Sequence, residues 1–568
     1  MTRVAAIGLD AMEWSVAERL MADGHMPHLH ALRERGASCR LENVVPYRSE
    51  LPWTLFLTGR AASDNGYWST VEFDPATYEA YTIGAHPVPP FYALGPDKKV
   101  IAFDVPHSVP DDGVHGIQVT AWGAHSPQFA RASEPRGLLS EIDARFGPHP
   151  GFDNDYDGAW YVPRFLDNLA DAQLEGSRRR VDIVQWLQER DPDWDFLFTV
   201  MSEPHSGGHH MWHGVDESHP LNDSVTAAQA QRRLIEVYSA VDAQVGRLIA
   251  GLPEDTTVAV FAVHGMQANA NDVPSMVLLP ELLHRLTFGT KLLGVRGRER
   301  SLSDGSGHIV PSERQHWLTT VRRAFGGGVT GRARRLATAV VPEAMLERVL
   351  KLRRRLLGLG EPRMPWEFRD APAGETSLTV EEVIAQRGTL DWQPPMWYQK
   401  YWPRMRWFTM PTFSDAHVRI NLEGRERDGI VPFEDYDKAC DEFEALVREC
   451  RNPRTGRPIV DQVLRVRADD PMAPDGPDGD LVVLWTEPIE ALEHPRAGII
   501  GPVAFNRTGE HSSNGFALFA GPDIEHADLG TRSAYDMTPT ILRFLGVEPA
   551  DGLEGTALFD HSMSVRPS

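Results

Sequence analysis

Short apolar runs that stop at an acid or a histidine recur along this chain. RVAAIGLD (3–10) is apolar up to Asp10. A run this short and this continuous predicts a strand buried on both faces, with Asp10 at its carboxyl end. KKVIAFDVP (98–106), GIQVTAWGAH (116–125), DFLFTVM (195–201), TTVAVFAVHG (256–265) and NGFALFAGP (514–522) predict further strands of the same kind. Helical spacing lies between them. It covers 13–23, then MPHLHALRERGA closed by Gly36, then 224–250, where Ile235, Val237, Val241, Val245, Leu248 and Ile249 share a stripe. Strands alternating with helices predict an α/β fold, a mostly parallel central sheet with helices on both faces. Such sheets bind ligands beyond the carboxyl ends of their strands. Asp10, His205 with His209, and His264 all fall at such ends.

Composition divides the chain. At 568 residues it is too long for one small domain, so a large core with an inserted lobe is expected. Residues 281–430 differ from their flanks. VRGRERS, VRRAFGGGVTGRARR and KLRRRLLGLG are basic and glycine-interrupted, and DWQPPMWYQKYWPRMRWF (391–408) is crowded with aromatics. This region is expected to be a cap, inserted between core segments 1–280 and 431–568. Its arginines read either as a solvated helical surface or as a rim for an anion. Its tryptophans (Trp392, Trp397, Trp402, Trp407) read as cap core or as a stacking platform.

Net charge is −23, which argues against a nucleic-acid duplex as partner. Three cysteines, Cys39, Cys440 and Cys450, are too few for a disulfide scaffold and suit a reducing compartment. The first apolar run is too short for a signal-peptide core, and no later run would span a bilayer. A cytoplasmic location is expected.

The candidate chemistry centres on SEPHSGGHHMWH (202–213), with Glu203, His205, His209, His210 and His213. Alone it reads as a metal site or as a histidine-rich polar loop. On a helix, His205 and His209 lie one turn apart on one face, a spacing that suits a zinc-like ion. A third ligand could come from His511 in RTGEHSSNG (507–515). In VVPYRSELPWTLFLTGR (44–60), Ser49 precedes a helical run. It reads as an ordinary N-cap, or as a hydroxyl placed where backbone N–H groups can hold a phosphate. Arg48 could add a charge-assisted contact.

Taken in order, IGLDAMEW, MPHLHALRERGA, SELPWTLFLTGR, AVHGM, HVRINLEGRERDGIV, GEHSSNGFALFAGP and YDMTPTILRFLGVEPADGLEGTAL resemble segments of the alkaline phosphatase superfamily, in its phosphodiesterase and nucleotide pyrophosphatase branch. The resemblance implies an alkaline-phosphatase-like fold and two metal positions. One would hold Asp10, Ser49 and His264, the other His205, His209 and His511. Zn2+ is the implied cofactor, as one or two ions, with another divalent cation as the alternative. Ser49 would be the nucleophile, attacking phosphorus to form a seryl-phosphoryl intermediate that water releases.

Two positions depart from the family pattern. Val263 stands where the family has the Asp of Asp-His-Gly-Met, and His205 where it has the Asp of Asp-x3-His. Glu203, Asn269 or His125 could substitute, and the first position is expected to bind metal more weakly or not at all. The resemblance implies a metal-dependent hydrolase acting on a small phosphate ester, a diester or pyrophosphate rather than a monoester. The alternatives are a phosphoryl-type transferase, a sulfatase or phosphonate hydrolase on the same fold, and a non-catalytic binding relative. YRSELPWT lacks the Cys/Ser-x-Pro-x-Arg signature of sulfatases.

Overall fold

A computed structural model describes residues 3–46, 51–84, 88–123, 130–152, 158–294, 299–303, 307–326, 366–368, 371–372, 374–413, 415–467, 470–474 and 476–559. Arg48, Ser49, His125 and the arginine runs of 331–335 and 351–355 lie outside them.

A nine-stranded sheet forms the centre. In chain order its strands are β1 (Val4–Leu9), β2 (Ala37–Glu42), β3 (Gly95–Phe103), β4 (Val114–Thr120), β5 (Ala132–Glu134), β6 (Phe196–Met201), β7 (Thr257–Ala262), β8 (Asn514–Ala520) and β9 (Ala527–Ser533). Across the sheet they run β9-β2-β8-β7-β1-β6-β3-β4-β5. The inner block β7-β1-β6-β3-β4 is parallel throughout, as the continuous apolar runs predict. Every residue of β1, β6 and β7 is buried, because helices cover both faces and leave no strand face open to water. β8 runs antiparallel to both β2 and β7, and β5 antiparallel to β4.

That reversal of β8 matters for the site. Its amino end lies at the edge where the parallel strands have their carboxyl ends, so a residue just before Asn514 reaches the same edge as Asp10 and His205.

The predicted helices are observed as Trp14–Ala22, Pro27–Arg35 and Ala227–Ala250. In the last, Val237, Val241, Val245 and Leu248 are buried as expected, together with Leu234 and Tyr238. The stretch 203–215 is a helix rather than a loop, and all of it is buried.

A second, four-stranded sheet pairs Trp407–Thr409, Ala416–Ile420, Leu481–Trp485 and Val460–Arg465. It joins strands from both sides of residue 430, so the expected cap edge at 430 falls inside one sheet. Trp402 is fully buried there and stacks on Phe408 with ring centroids 4.8 Å apart. Trp392, by contrast, is 38% exposed at the margin. No helix among the described residues is long and apolar enough to cross a membrane.

Candidate metal centre

The backbone ladder explains how distant segments meet. Asp10 N–H donates to Met201 O at 2.9 Å, one residue beyond the paired ends of β1 and β6. Two residues past Ala262, the last residue of β7, comes His264. A short antiparallel ladder then pairs Gly265–Ala268 with Gly509–Ser512, placing Met266 opposite His511.

This ladder lies hard against the histidine helix Glu203–Val215. Thr508 N–H donates to His209 O at 2.7 Å. A side chain on Gly509 would put its Cβ 2.3 Å from Gly208 O, so glycine is required for the approach.

His205, His209 and His511 converge at this junction. All three are buried, and one ring nitrogen from each lies within 4.8 Å of the others. Their ring centroids are 4.4 Å (His205 to His209), 4.8 Å (His205 to His511) and 5.0 Å (His209 to His511) apart. His209 Nδ1 is 2.8 Å from Gly509 O. A carbonyl only accepts, so Nδ1 carries the proton and Nε2 presents its lone pair to the trio. His205 Nε2 is 3.2 Å from that Nε2. Two nitrogens held by one tetrahedral ion at zinc-like bond lengths are about 3.3 Å apart. The donor set therefore fits a divalent ion that favours imidazole.

The second group adjoins the first. The His264 ring is 4.4 Å from that of His511, and His264 Nε2 is 3.6 Å from Asp10 Oδ1. Trp53 Nε1 donates to the same Asp10 oxygen at 2.7 Å. Asp10, His264 and the trio thus form one contiguous buried patch at the sheet edge. Ser49 and Arg48, expected beside it, lie outside the described residues. Trp53 belongs to the helix Leu51–Thr58 that follows them in sequence.

Glu203 does not join the trio, which corrects the expectation that it replaces a missing carboxylate. Its Oε1 accepts from Arg180 Nε and lies near His149 Nε2, at 3.2 Å in each case. Burial pushes the Glu203 carboxyl up, but the Arg180 charge and the His149 hydrogen bond outweigh it and hold the group below its ordinary range. Asn269 is also engaged elsewhere: its Oδ1 accepts from Asn271 N and Asp272 N at 3.1 and 3.0 Å, closing the turn after the ladder. Val263 sits in an apolar cluster with Trp53, Phe198 and Phe261. His210 and His213 leave the helix on its other side. The first packs on Phe165 at 5.0 Å, the second on Trp160 at 5.6 Å.

Trp53, Asp104, His149 and Arg180 were not singled out from sequence as parts of the site's surroundings. Asp104 had a visible signal: VIAFD ends a buried strand in an acid just as AIGLD does. Arg180 had none, being one arginine of three in a row within a long helical segment.

The family described as type I phosphodiesterase / nucleotide pyrophosphatase matches residues 4–374. No curated protein matches the chain. Solved structures similar to it include phosphonoacetate hydrolase from Sinorhizobium meliloti 1021 in complex with phosphonoformate, at 13% identity, 96% coverage of each chain and a TM-score of 0.43. Murine ectonucleotide pyrophosphatase / phosphodiesterase 5 in complex with AMP is similar at 11% identity, covering 98% of this chain and 97% of that one, with a TM-score of 0.43. Wild-type alkaline phosphatase PafA is similar at 11% identity, 98% coverage of each and a TM-score of 0.44.

Proposed function

Since the chain belongs to the type I phosphodiesterase / nucleotide pyrophosphatase family, a family of phosphoryl hydrolases, we propose that it is a divalent-metal-dependent hydrolase of small phosphate diesters or pyrophosphates. The observation that carries this reading is the convergence of His205, His209 and His511 on one buried point, with ring nitrogens within 4.8 Å of one another. In this reading the three imidazoles hold a zinc-like ion, and Asp10 with His264 and Ser49 form a second, weaker position. The burial of Val263 among aromatic side chains favours occupancy of the first position over the second, since Asp10 is left there without a second carboxylate from residue 263. A divalent ion in such a site supplies Lewis-acid stabilisation of charge developing on phosphoryl oxygens.

The chain's own residues do the rest. Trp53 holds Asp10 in one orientation through its indole N–H. The Gly509 carbonyl fixes the tautomer of His209, so its Nε2 is always presented as a donor of electrons. Ser49 is the proposed nucleophile: its Oγ forms the bond to phosphorus as the ester oxygen leaves, and water then releases the seryl-bound phosphoryl group. Arg48 neutralises the anion as it arrives.

The test is a panel of aryl phosphate diesters, a monoester and an aryl sulfate, with elemental analysis of protein never exposed to chelator. Expected are one to two zinc-like ions per chain, diester turnover above the other substrates, and loss of turnover in Ser49→Ala. Protein without bound metal would remove the metal reading. Unchanged turnover in Ser49→Ala would remove the nucleophile. Faster turnover on adding an acceptor alcohol, with the phosphoryl group found on it, would make the protein a transferase.

A further inference from the structure

Behind the histidine helix lies a buried charged corner that the proposed reaction does not use. Arg180 sits on the long helix Pro163–Arg190, which packs on β3, β6 and the histidine helix. Its guanidinium is fully buried and makes three directed bonds. Nη1 donates to Asp104 Oδ2 at 2.7 Å, Nη2 to Ser202 Oγ at 2.8 Å and Nε to Glu203 Oε1 at 3.2 Å. The rings of Trp122 and Phe103 flank it at 5.3 and 5.8 Å. His149 Nδ1 accepts from Gly151 N–H at 3.0 Å, so Nε2 carries the proton and donates to Glu203.

These partners are the carboxyl ends of neighbouring strands. Asp104 follows β3 directly and adopts φ +56°, and its other oxygen accepts from Trp122 N–H, just past β4, at 2.8 Å. Ser202 and Glu203 follow β6 directly. There is no slack: a Cβ on Gly123 would sit 2.2 Å from Asp104 Oδ2, 2.5 Å from Arg180 Nη2 and 2.9 Å from Ser202 Oγ.

The start of the histidine helix breaks a local rule at this point. A serine preceding a helix ordinarily accepts from the N–H groups of the first turn. Ser202 makes no such cap and accepts from Arg180 instead. The helix is thus fixed from outside, through its N-cap residue and its first residue, Glu203. His205 and His209 follow within two turns. Imidazoles that share an ion must be held to about 0.5 Å and 10–20°, so a small rotation at Ser202–Glu203 would carry both out of line with His511.

We propose that Arg180 is a positioning residue for the metal centre: by joining Asp104, Ser202 and Glu203 into one rigid corner, it sets the direction in which His205 and His209 face His511. This rests on the reading of those three histidines as a metal centre.

The experiment uses the full chain carrying Arg180→Lys, which keeps the charge but loses the three-way fork, and Ser202→Ala, which leaves both carboxylates paired. Arg178→Met, on the exposed side of the same helix, is the control. Zinc affinity is measured by chelator competition, and the visible spectrum is recorded with Co2+ in place of zinc. Arg180→Lys is expected to weaken zinc by about 10- to 100-fold and Ser202→Ala by a few-fold, as for other residues that orient ligands. Both should alter the cobalt spectrum, whereas Arg178→Met should match wild type in both readouts. Folded variants with wild-type zinc affinity and an unchanged cobalt spectrum, whatever their melting temperature, overturn the inference. If Arg180→Lys does not fold, Ser202→Ala decides alone. His209→Ala separates the two levels. If that variant keeps its full zinc, the metal-centre reading itself falls; if it loses zinc while the corner variants do not, only the role of Arg180 falls.

Discussion

The helix Glu203–Val215 carries four histidines on two faces, and the faces have opposite surroundings. His205 and His209 turn toward the ladder strand Gly509–Ser512, where a carbonyl sets the tautomer of His209 and a third imidazole arrives from His511. His210 and His213 turn toward Phe165 and Trp160, and His213 Nε2 pairs with Thr226 Oγ1 at 3.1 Å. All four are buried. Burial and residue type are therefore the same on both faces. What differs is whether other imidazoles point at the same place. One face is organised around a shared point; the other is an aromatic core that tolerates polar edges because each has a local partner or ring neighbour.

The largest expected effect breaks this contrast directly. His209→Ala should remove one of the trio's three ligands and with it several kcal/mol of electrostatic stabilisation, roughly a thousandfold or more in kcat/KM. Zinc content should fall in parallel. His213→Phe, on the other face, should leave zinc content and kcat/KM within about a factor of three. Equal losses in the two variants, with both proteins folded, would mean that the faces are not distinct in function.

Much of this was legible in the sequence, for identifiable reasons. The continuous apolar runs could be strands only if covered on both faces, and that made the parallel sheet and its carboxyl edge readable. Asp10 and His264 then fell at strand ends by position alone, and the four-residue spacing of His205 and His209 placed them one turn apart. The helical state of 203–215 was harder to read, because the Gly207–Gly208 pair suggests a loop. In the structure Gly208 belongs to a helix that must lie against Gly509, a contact 301 positions away. Glu203 was misread for the same reason. Its partner Arg180 is decided by how two helices pack, and no local spacing reports that. The cap was the least legible part, since aromatic residues serve equally as core and as surface. Trp402 turned out to be core, whereas Trp392 is partly exposed.

A smaller change sharpens the contrast from the metal side. Trp53→Phe keeps an aromatic ring among Phe56, Phe261 and His264 but removes the N–H that binds Asp10 Oδ1 at 2.7 Å. The lost bond to a buried carboxylate should cost about 1.5–3 kcal/mol of stability. Loss of the orienting contact should lower kcat/KM by about 10- to 100-fold. The equivalent loss on the aromatic face, Thr226→Val, removes the partner of His213 and should lower stability with no change in kcat/KM. Urea titration and initial rates on the two variants check both halves.

The smallest effect concerns acid. Burial, with help from His219 and His210, pushes His213 down from 6.5 to about 3, and burial likewise pushes His219 down to about 4. Between those values and 6.5 the unfolded chain binds protons that the native protein refuses. Their contribution to stability is therefore complete above pH ~6.5 and is lost as pH falls toward the native values. Each such histidine steepens the loss by at most about 1.4 kcal/mol per pH unit. His213→Phe removes one of the two. At pH 7.5 it should cost about 1 kcal/mol for the Thr226 bond, partly offset by ring contact with Trp160. Below pH 6 its stability should fall less steeply than that of wild type, so the two curves converge. Metal-free protein isolates the effect, because release of a bound ion then contributes to neither curve. Urea midpoints that fall in parallel from pH 7.5 to 5 would show that His213 is protonated in the native protein, against the burial of its face.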